Sequence, residues 1–457
     1  MTSQSHADLI PWAVAIRQSQ PYAATGRVME VVGLTVRARG PRAPIGAVCE
    51  VKTAHGPVWA EVVGFHDEQT WLMVLGPVVG LEPGARVTMR GRGLTVPMAA
   101  AALGRLLDGM GQPRDDGPRL PRTRRPTAGA PRSPLTRRPI VDPLWTGVRM
   151  MDGCLTLGRG QRVGIFAGSG VGKSTLLKML VAGVAADAVV VGLVGERGRE
   201  VAEFWEALTP TSRRRTVVVA ATSDEPALLR LRAAETATGL AEELADHGKA
   251  VLLVLDSLTR VAMAGREVGI AAGEPPTARG YTPSVFALLP RLLERAGRFE
   301  RGAVTGCYTV LVDGDDLEAD PVADAVRGVL DGHIVLSRER AEAGYYPAID
   351  LPRSLSRTMD QVVSVEHRQA AGRAREWTSR AVRTRDLVEL GAYVAGSDPA
   401  TDEALAMAPQ LAAWAVQSPG EWCPPETSVA QLIELSRAAS AACGARGERE
   451  SSGRHQS

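Results

Sequence analysis

The sequence predicts an α/β protein: a parallel β-sheet covered by helices on both faces, with a small β-barrel domain before it and an α-helical domain after it. Three observations lead there. Short Val- and Gly-rich segments crowd residues 26–97, apolar β-branched runs alternate with amphipathic helices over 140–373, and strand-like text disappears from 374 onward.

Composition bounds the possibilities. A chain of 457 residues exceeds what one hydrophobic core supports, and 45% hydrophobic with 23% charged residues reads as globular. A formal net charge of only +2 argues for no anionic partner, and no nucleic acid is expected. Five cysteines (Cys49, Cys154, Cys307, Cys423, Cys443) are odd in number and lack the paired spacing of zinc or redox sites, so a reducing cytoplasm is the simplest fit. The opening "MTSQSHADLIPWAVAIRQSQ" lacks the basic start and apolar core of a signal peptide. No apolar run approaches the ~20 residues that span a bilayer, so any membrane association is expected to be peripheral.

Along the chain, residues 1–25 carry a short, weakly amphipathic stretch, "HADLIPWAVAIRQ". Over 26–97, "GRVMEVVG", "LTVRARG", "AVCEVKT", "VWAEVVGF" and "TWLMVLG" are strand-like and closely spaced, which predicts a small closed barrel. Periodicity fails over 98–139, where "RLPRTRRPTAGAPRSPLTRRP" reads as a solvated basic linker or an extended crossing segment. From 140 to 373 the strands are "QRVGIFA", "AVVVGLV", "RTVVVAA", "AVLLVLD", "VTGCYTVLV" and "HIVLS", with helices such as "STLLKMLVAGVA", "PALLRLRAAETATGLAEELADHG" and "SVFALLPRLLERAG" between them. Residues 374–443 read as helices only, and the polar tail 444–457 is expected to be disordered.

The chemistry centres on "AGSGVGKST", residues 167–175. It follows a strand and opens a helix, the setting of a Walker A phosphate loop. Gly168, Gly170 and Gly172 let the backbone approach phosphates, with Ser169, Val171 and Thr175 completing the loop and first helical turn. Backbone N–H groups and the helix N-terminus supply positive potential, Lys173 adds a full charge, and Ser174 is placed to ligate Mg2+. The first position is Ala167 where the stricter pattern has glycine.

Two carboxylates complete the set. Asp256 ends the apolar strand "VLLVLD", expected beside the loop strand, where an acid can hold metal-bound water; the less favoured alternative is an Asp that caps the next helix. In "GERGRE", Glu196 sits at the tip of another strand, where it could orient an attacking water.

Taken in order, "GIFAGSGVGKST", "GLVGERGREV", "VLLVLDSLTR", "GEPPTARGYTPSVF", "YTVLVDGDD", "ADAVRGVLDGHIVLSR" and "YYPAIDLPRSLSR" closely resemble the type III secretion ATPases, including the flagellar export ATPase. The resemblance runs from about Gly26 to about Ser440, and that family is similar to the catalytic subunits of rotary ATP synthases. It implies a RecA-like P-loop ATPase core between the barrel and the helical domain, ATP and Mg2+ as ligands, and a homo-hexamer. By resemblance Lys173 and Ser174 take the phosphate and magnesium roles, and Asp256 is the Walker B acid. Glu196 becomes the catalytic carboxylate with Arg197 beside it. Tyr346 matches the ring that packs on adenine, and Arg357 the arginine finger that reaches a neighbouring subunit's nucleotide. Local departures are "TARGYTP" for the commoner "ATKGYPP" and "MAGRE" for "MAQRE".

The implied partners are a stator-like regulator bound through the extreme N-terminus, a central stalk-like protein, export-gate membrane proteins and chaperone–substrate complexes. The implied place is the cytoplasm, peripherally at the inner-membrane export apparatus. Four alternatives stay open at this point: an injectisome rather than a flagellar ATPase, a rotary ion-translocating subunit, an RNA-dependent hexameric helicase, and a non-catalytic nucleotide-holding subunit.

Overall fold

In the computed structural model, residues 23–121, 123–127, 132–312 and 320–453 are described, with backbone alone at 124, 125 and 441–453. The proposed regulator-binding stretch therefore lies almost wholly outside the described residues, as does "DGDD" (313–316). Two compact units are present. One comprises residues up to Leu94 with Pro226–Leu229 and Glu267–Glu274; the other comprises Thr95–Glu225, Arg230–Arg266 and the chain from Pro275.

The first unit is built on a barrel of β1 (Thr25–Val32), β2 (Thr35–Arg39), β3 (Val48–Thr53), β4 (Gly56–His66), β5 (Gln69–Val74) and β6 (Arg86–Gly91). It closes in the order β1-β2-β5-β4-β3-β6 with antiparallel pairing throughout. Alternate residues such as Val36, Ala38, Cys49, Val51, Ala60, Val62 and Leu72 fill the interior. These small side chains suit the narrow lumen of a six-stranded barrel and leave no open sheet edge.

The second unit centres on a nine-stranded sheet. Its strands are β7 (Leu106–Leu107), β8 (Arg162–Ala167), β9 (Ala188–Val194), β10 (Thr216–Ala221), β11 (Ala250–Asp256), β12 (Ala303–Leu311), β13 (Gly332–Val335) and β14 (Leu355–Ser356), plus the short pair-mate Gly297–Arg298. The order is β14-β13-β8-β12-β11-β9-β10-β7, parallel from β13 to β7, with β14 antiparallel at the edge. All six strands expected between 140 and 373 are present. Each buries both faces: Val189, Val191 and Leu193 join one apolar cluster, while Val190 and Val194 join the other.

The helices that matter for the site are α1 (Arg149–Cys154), α2 (Lys173–Gly183), α3 (Gly198–Glu206), α4 (Ala227–Asp246), α5 (Leu258–Ala271) and α6 (Pro283–Leu293). They are followed by α7 (Val365–Glu389), α8 (Pro399–Ala415) and α9 (Pro425–Gly453).

Three sequence expectations differ from what is observed. The described part of residues 98–139 is not a free linker and is closer to the other reading, an extended crossing segment: Leu107 is buried in β7, which extends the sheet beside β10, and Thr95–Pro97 pairs with Arg124–Pro126. Two-residue strands carry no periodicity, so a sequence pattern cannot reveal them. The helical zone does not start at 374. Ser364 caps α7 by accepting from the His367 N–H at 3.2 Å, and Trp377, Leu411 and Leu432 share one apolar core with Ile165 and Val254 of the sheet. Finally, α9 continues to Gly453 where an unstructured tail was expected from 444, and nothing between Glu426 and Gly453 is proline.

Among the described residues, no helix is long and apolar enough to cross a membrane.

Candidate active site

The phosphate loop runs from the end of β8 into α2. Gly170 and Gly172 have φ of +80° and +91°, left-handed values that residues with a Cβ adopt only at a cost. These turns leave Lys173 as the first residue of α2, with the helix N-terminus facing the loop. The Lys173 ammonium is largely buried and donates to Asp256 Oδ1, and it lies 3.5 Å from Glu196 Oε1.

Sequence reading placed Asp256 beside the loop strand. The sheet places β12 between β8 and β11, so the long Lys173 side chain spans that gap to reach the acid. Thr309 of the intervening strand donates to Asp256 Oδ1 at 2.6 Å and fixes the carboxylate. Sequence reasoning missed Thr309; its one signal was a hydroxyl in the otherwise apolar run "YTVLV".

Glu196 follows β9 at the N-terminal approach to α3 and is mostly buried. Burial, reinforced by the Asp256 charge, pushes its carboxyl up to about 7, against the opposing pull of the Lys173 ammonium. A hydrogen bond with Glu200 on the first turn of α3 adds to the rise and holds Glu200 below its ordinary value. Glu196 is thus a carboxyl poised to gain or lose a proton near neutrality, the property required of a general base.

A cleft of about 220 Å³ opens on this cluster, lined by Ser174, Glu196, Glu200 and Asp256 with the apolar walls Leu177 and Phe204. The Ser174 hydroxyl and the Asp256 carboxylate are hard oxygen donors facing one cleft, a donor set that fits Mg2+. On the other side of the loop, the Tyr346 ring sits so close that a Cβ on Gly172 would lie 3.1 Å from it. Tyr346 as a residue is 37% exposed. Arg338, also missed in the sequence, brings its guanidinium against Gly168, where a Cβ would lie 3.4 Å from Nη2.

Two predicted residues stand apart. Arg197 is the exposed residue just before α3, paired at 3.8 Å with Glu200 and making no side-chain bond to the helix N-terminus. Arg357 is exposed just after β14, its backbone N–H donating to Asp331 O at 2.9 Å, and it forms no hydrogen bond or ion pair with Lys173, Glu196 or Asp256.

Known proteins resemble this chain in sequence and fold. The family model "ATP synthase alpha/beta family, nucleotide-binding domain" matches residues 147–356. The corresponding beta-barrel domain model matches 28–91, and "T3SS EscN ATPase C-terminal domain" matches 363–434. A flagellum-specific ATP synthase of Bacillus subtilis (strain 168) is 47% identical over 426 residues, 92% of this chain and 97% of its own. The chain belongs to the type III secretion ATPase family. Relatives of this type III secretion ATPase fall on both sides of the family: a type 3 secretion system ATPase of Xanthomonas euvesicatoria is 50% identical over 384 residues, covering 83% of this chain and 87% of its own. The assembled ATPase EscN from the enteropathogenic E. coli type III secretion system superposes with a TM-score of 0.85 at 42% identity, covering 90% of this chain and 99% of that one. This type III secretion ATPase is an ATP hydrolase, and its P-loop domain binds ATP.

Proposed function

We propose that the protein is the Mg2+-dependent ATPase of a type III export apparatus, working as a homo-hexamer to deliver flagellar components to the export gate. The observation that carries the catalytic part is the convergence of Lys173, Glu196 and Asp256 at the mouth of the P-loop.

In this reading the loop residues Gly168 to Gly172 and the N-terminus of α2 receive the phosphates, with Thr175 in its first turn. Lys173 trades its carboxylate partners for phosphate oxygens. Ser174 and Asp256 would hold Mg2+, which would supply charge neutralisation at the phosphates. Glu196 orients the attacking water and takes its proton, with Arg197 beside it. Tyr346 stacks on the base. Arg357, exposed and away from its own P-loop cluster, serves the nucleotide of the adjacent subunit.

The export role rests on the relatives, among which flagellum-specific ATP synthases of Bacillus subtilis and Pseudomonas aeruginosa match over most of the chain. One related structure shows EscN in complex with its central stalk EscO, which supports a stalk-like partner here. The remaining partners are a stator-like regulator at residues 1–20, export-gate membrane proteins and chaperone–substrate complexes, at a cytoplasmic site peripheral to the membrane.

The test is flagellin secreted into the medium by a strain lacking the gene, complemented with wild type or with Lys173→Ala. Rescue by wild type alone supports the flagellar reading. Normal flagellin export in the deletion strain, with loss of effector secretion, would move the protein to an injectisome.

A further inference from the structure

Gln417 is a polar side chain buried to 2% exposure in the segment between α8 and α9, and every hydrogen-bonding group of its amide is used. Its Nε2 donates to Gly147 O and to Glu421 O, both at 2.8 Å, and its Oε1 accepts from the Arg149 N–H at 2.8 Å. The backbone N–H of the same residue donates to Tyr346 O at 2.9 Å. Arg149 closes the arrangement, its Nη1 donating to Trp414 O and Val416 O at 2.8 Å each.

The same segment also reaches the C-terminal end of α2, the end away from the phosphate loop. Trp422 Nε1 donates to Gly183 O, the last residue of α2, at 3.2 Å, and a Cβ on Gly183 would lie 2.9 Å from that indole. One short stretch of the helical region therefore ties down both the far end of the P-loop helix and the peptide that carries the Tyr346 ring.

We propose that Gln417 is a positioning residue for the nucleotide base: its three amide bonds fix the backbone that holds the Tyr346 carbonyl, and so set the distance between the Tyr346 ring and the P-loop at Gly172. This rests on the reading of Tyr346 as the base platform. A buried amide held by three segments has one low-energy orientation, because turning it leaves carbonyls and an N–H unpaired in a dry site. The consequence is selective. Loosening Gln417 should weaken recognition of the base and leave recognition of the phosphates unchanged.

The experiment measures binding of a non-hydrolysable ATP analogue and of inorganic tripolyphosphate to the full chain with Mg2+, for wild type, Gln417→Met, Gln417→Ala, Tyr346→Ala and the Tyr346→Ala/Gln417→Met double variant. The methionine keeps the side-chain volume, so it guards against a simple packing defect. The expected result is analogue binding about five- to tenfold weaker in both Gln417 variants, tripolyphosphate binding unchanged, and no further loss when Gln417→Met is added to Tyr346→Ala. If Tyr346→Ala weakens the analogue while Gln417→Met does not, the positioning role is wrong and the base platform stands. Equal weakening of both ligands by the Gln417 variants would mean a general structural role, which also overturns the proposal. An unchanged analogue affinity in Tyr346→Ala would remove the platform reading itself, and the proposal with it.

Discussion

Glu196 shows how much one side chain owes to its surroundings. Its carboxyl, raised to about 7 by burial and by Asp256, is protonated in part of the neutral range, and the water activation proposed for it needs it ionised. In the nucleotide-free enzyme, log kcat/KM should therefore climb with a slope near one below about pH 7 and level off above it, and Glu196→Gln should lose both the limb and most of the turnover. A profile unchanged in that variant would show that another group titrates. The same shift has a stability consequence of definite sign. The native state binds this proton more tightly than the unfolded chain, so the contribution of Glu196 is most favourable at low pH and is lost as pH rises from about 4.5 through 7. At pH 8, Glu196→Gln should melt about 2–4 °C higher than wild type, with the gap closing near pH 4.5. Lys173 makes a plainer case: truncation to alanine removes the cation held between Glu196 and Asp256, and ATPase activity should fall by about two to three orders of magnitude with folding retained by circular dichroism.

At the scale of elements, the loop between β8 and α2 works because two of its glycines hold left-handed angles. Gly172→Ala faces both a φ of +91° and the Tyr346 ring 3.1 Å from the new methyl. Forcing alanine into that conformation costs about 1–2 kcal/mol, and nucleotide affinity, read by titration, should drop by tenfold or more. Wild-type affinity in this variant would mean that the loop tolerates another path. Strand β12 contributes in a different way. It separates the P-loop strand from the acid strand and supplies Thr309 to the carboxylate. Thr309→Val keeps the shape and deletes the hydrogen bond, so kcat should fall about three- to tenfold with KM for ATP nearly unchanged. A change confined to KM would place Thr309 in ground-state binding instead.

For the whole molecule, the position of Arg357 decides how activity depends on assembly. It is exposed and makes no ion pair with its own catalytic cluster. If it acts on a neighbouring subunit's nucleotide, specific ATPase activity must rise with protein concentration, and an arginine supplied in this way is worth about three orders of magnitude or more. Arg357→Ala should abolish the rise while leaving oligomer size, by light scattering, unchanged. Flat wild-type activity across the assembly range would sink the idea. The helical region also has its place here. Its helices α7 and α8 share a core with the sheet, and the segment after α8 is tied by Gln417 to the Tyr346 carbonyl and by Trp422 to the C-terminal end of α2.

The sequence by itself determined what is written locally. Strand and helix periods are set by neighbours one to four residues apart, so the six main strands, the P-loop and the strand-end acid Asp256 were legible from order and spacing, whereas Glu196, read alone, was a residue of a charged loop and took its role from the family resemblance. Tertiary structure decided whatever depends on contacts between distant segments. That set includes the place of β12 between the loop and acid strands, the recruitment of Leu106–Leu107 to the sheet edge, and the merging of the helical zone into the same core. It also includes Thr309 and Gln417. Each is an ordinary polar residue in its own stretch of chain and acquires its role only when folding buries it against residues 53 and 270 positions away, where a buried polar group must find a partner.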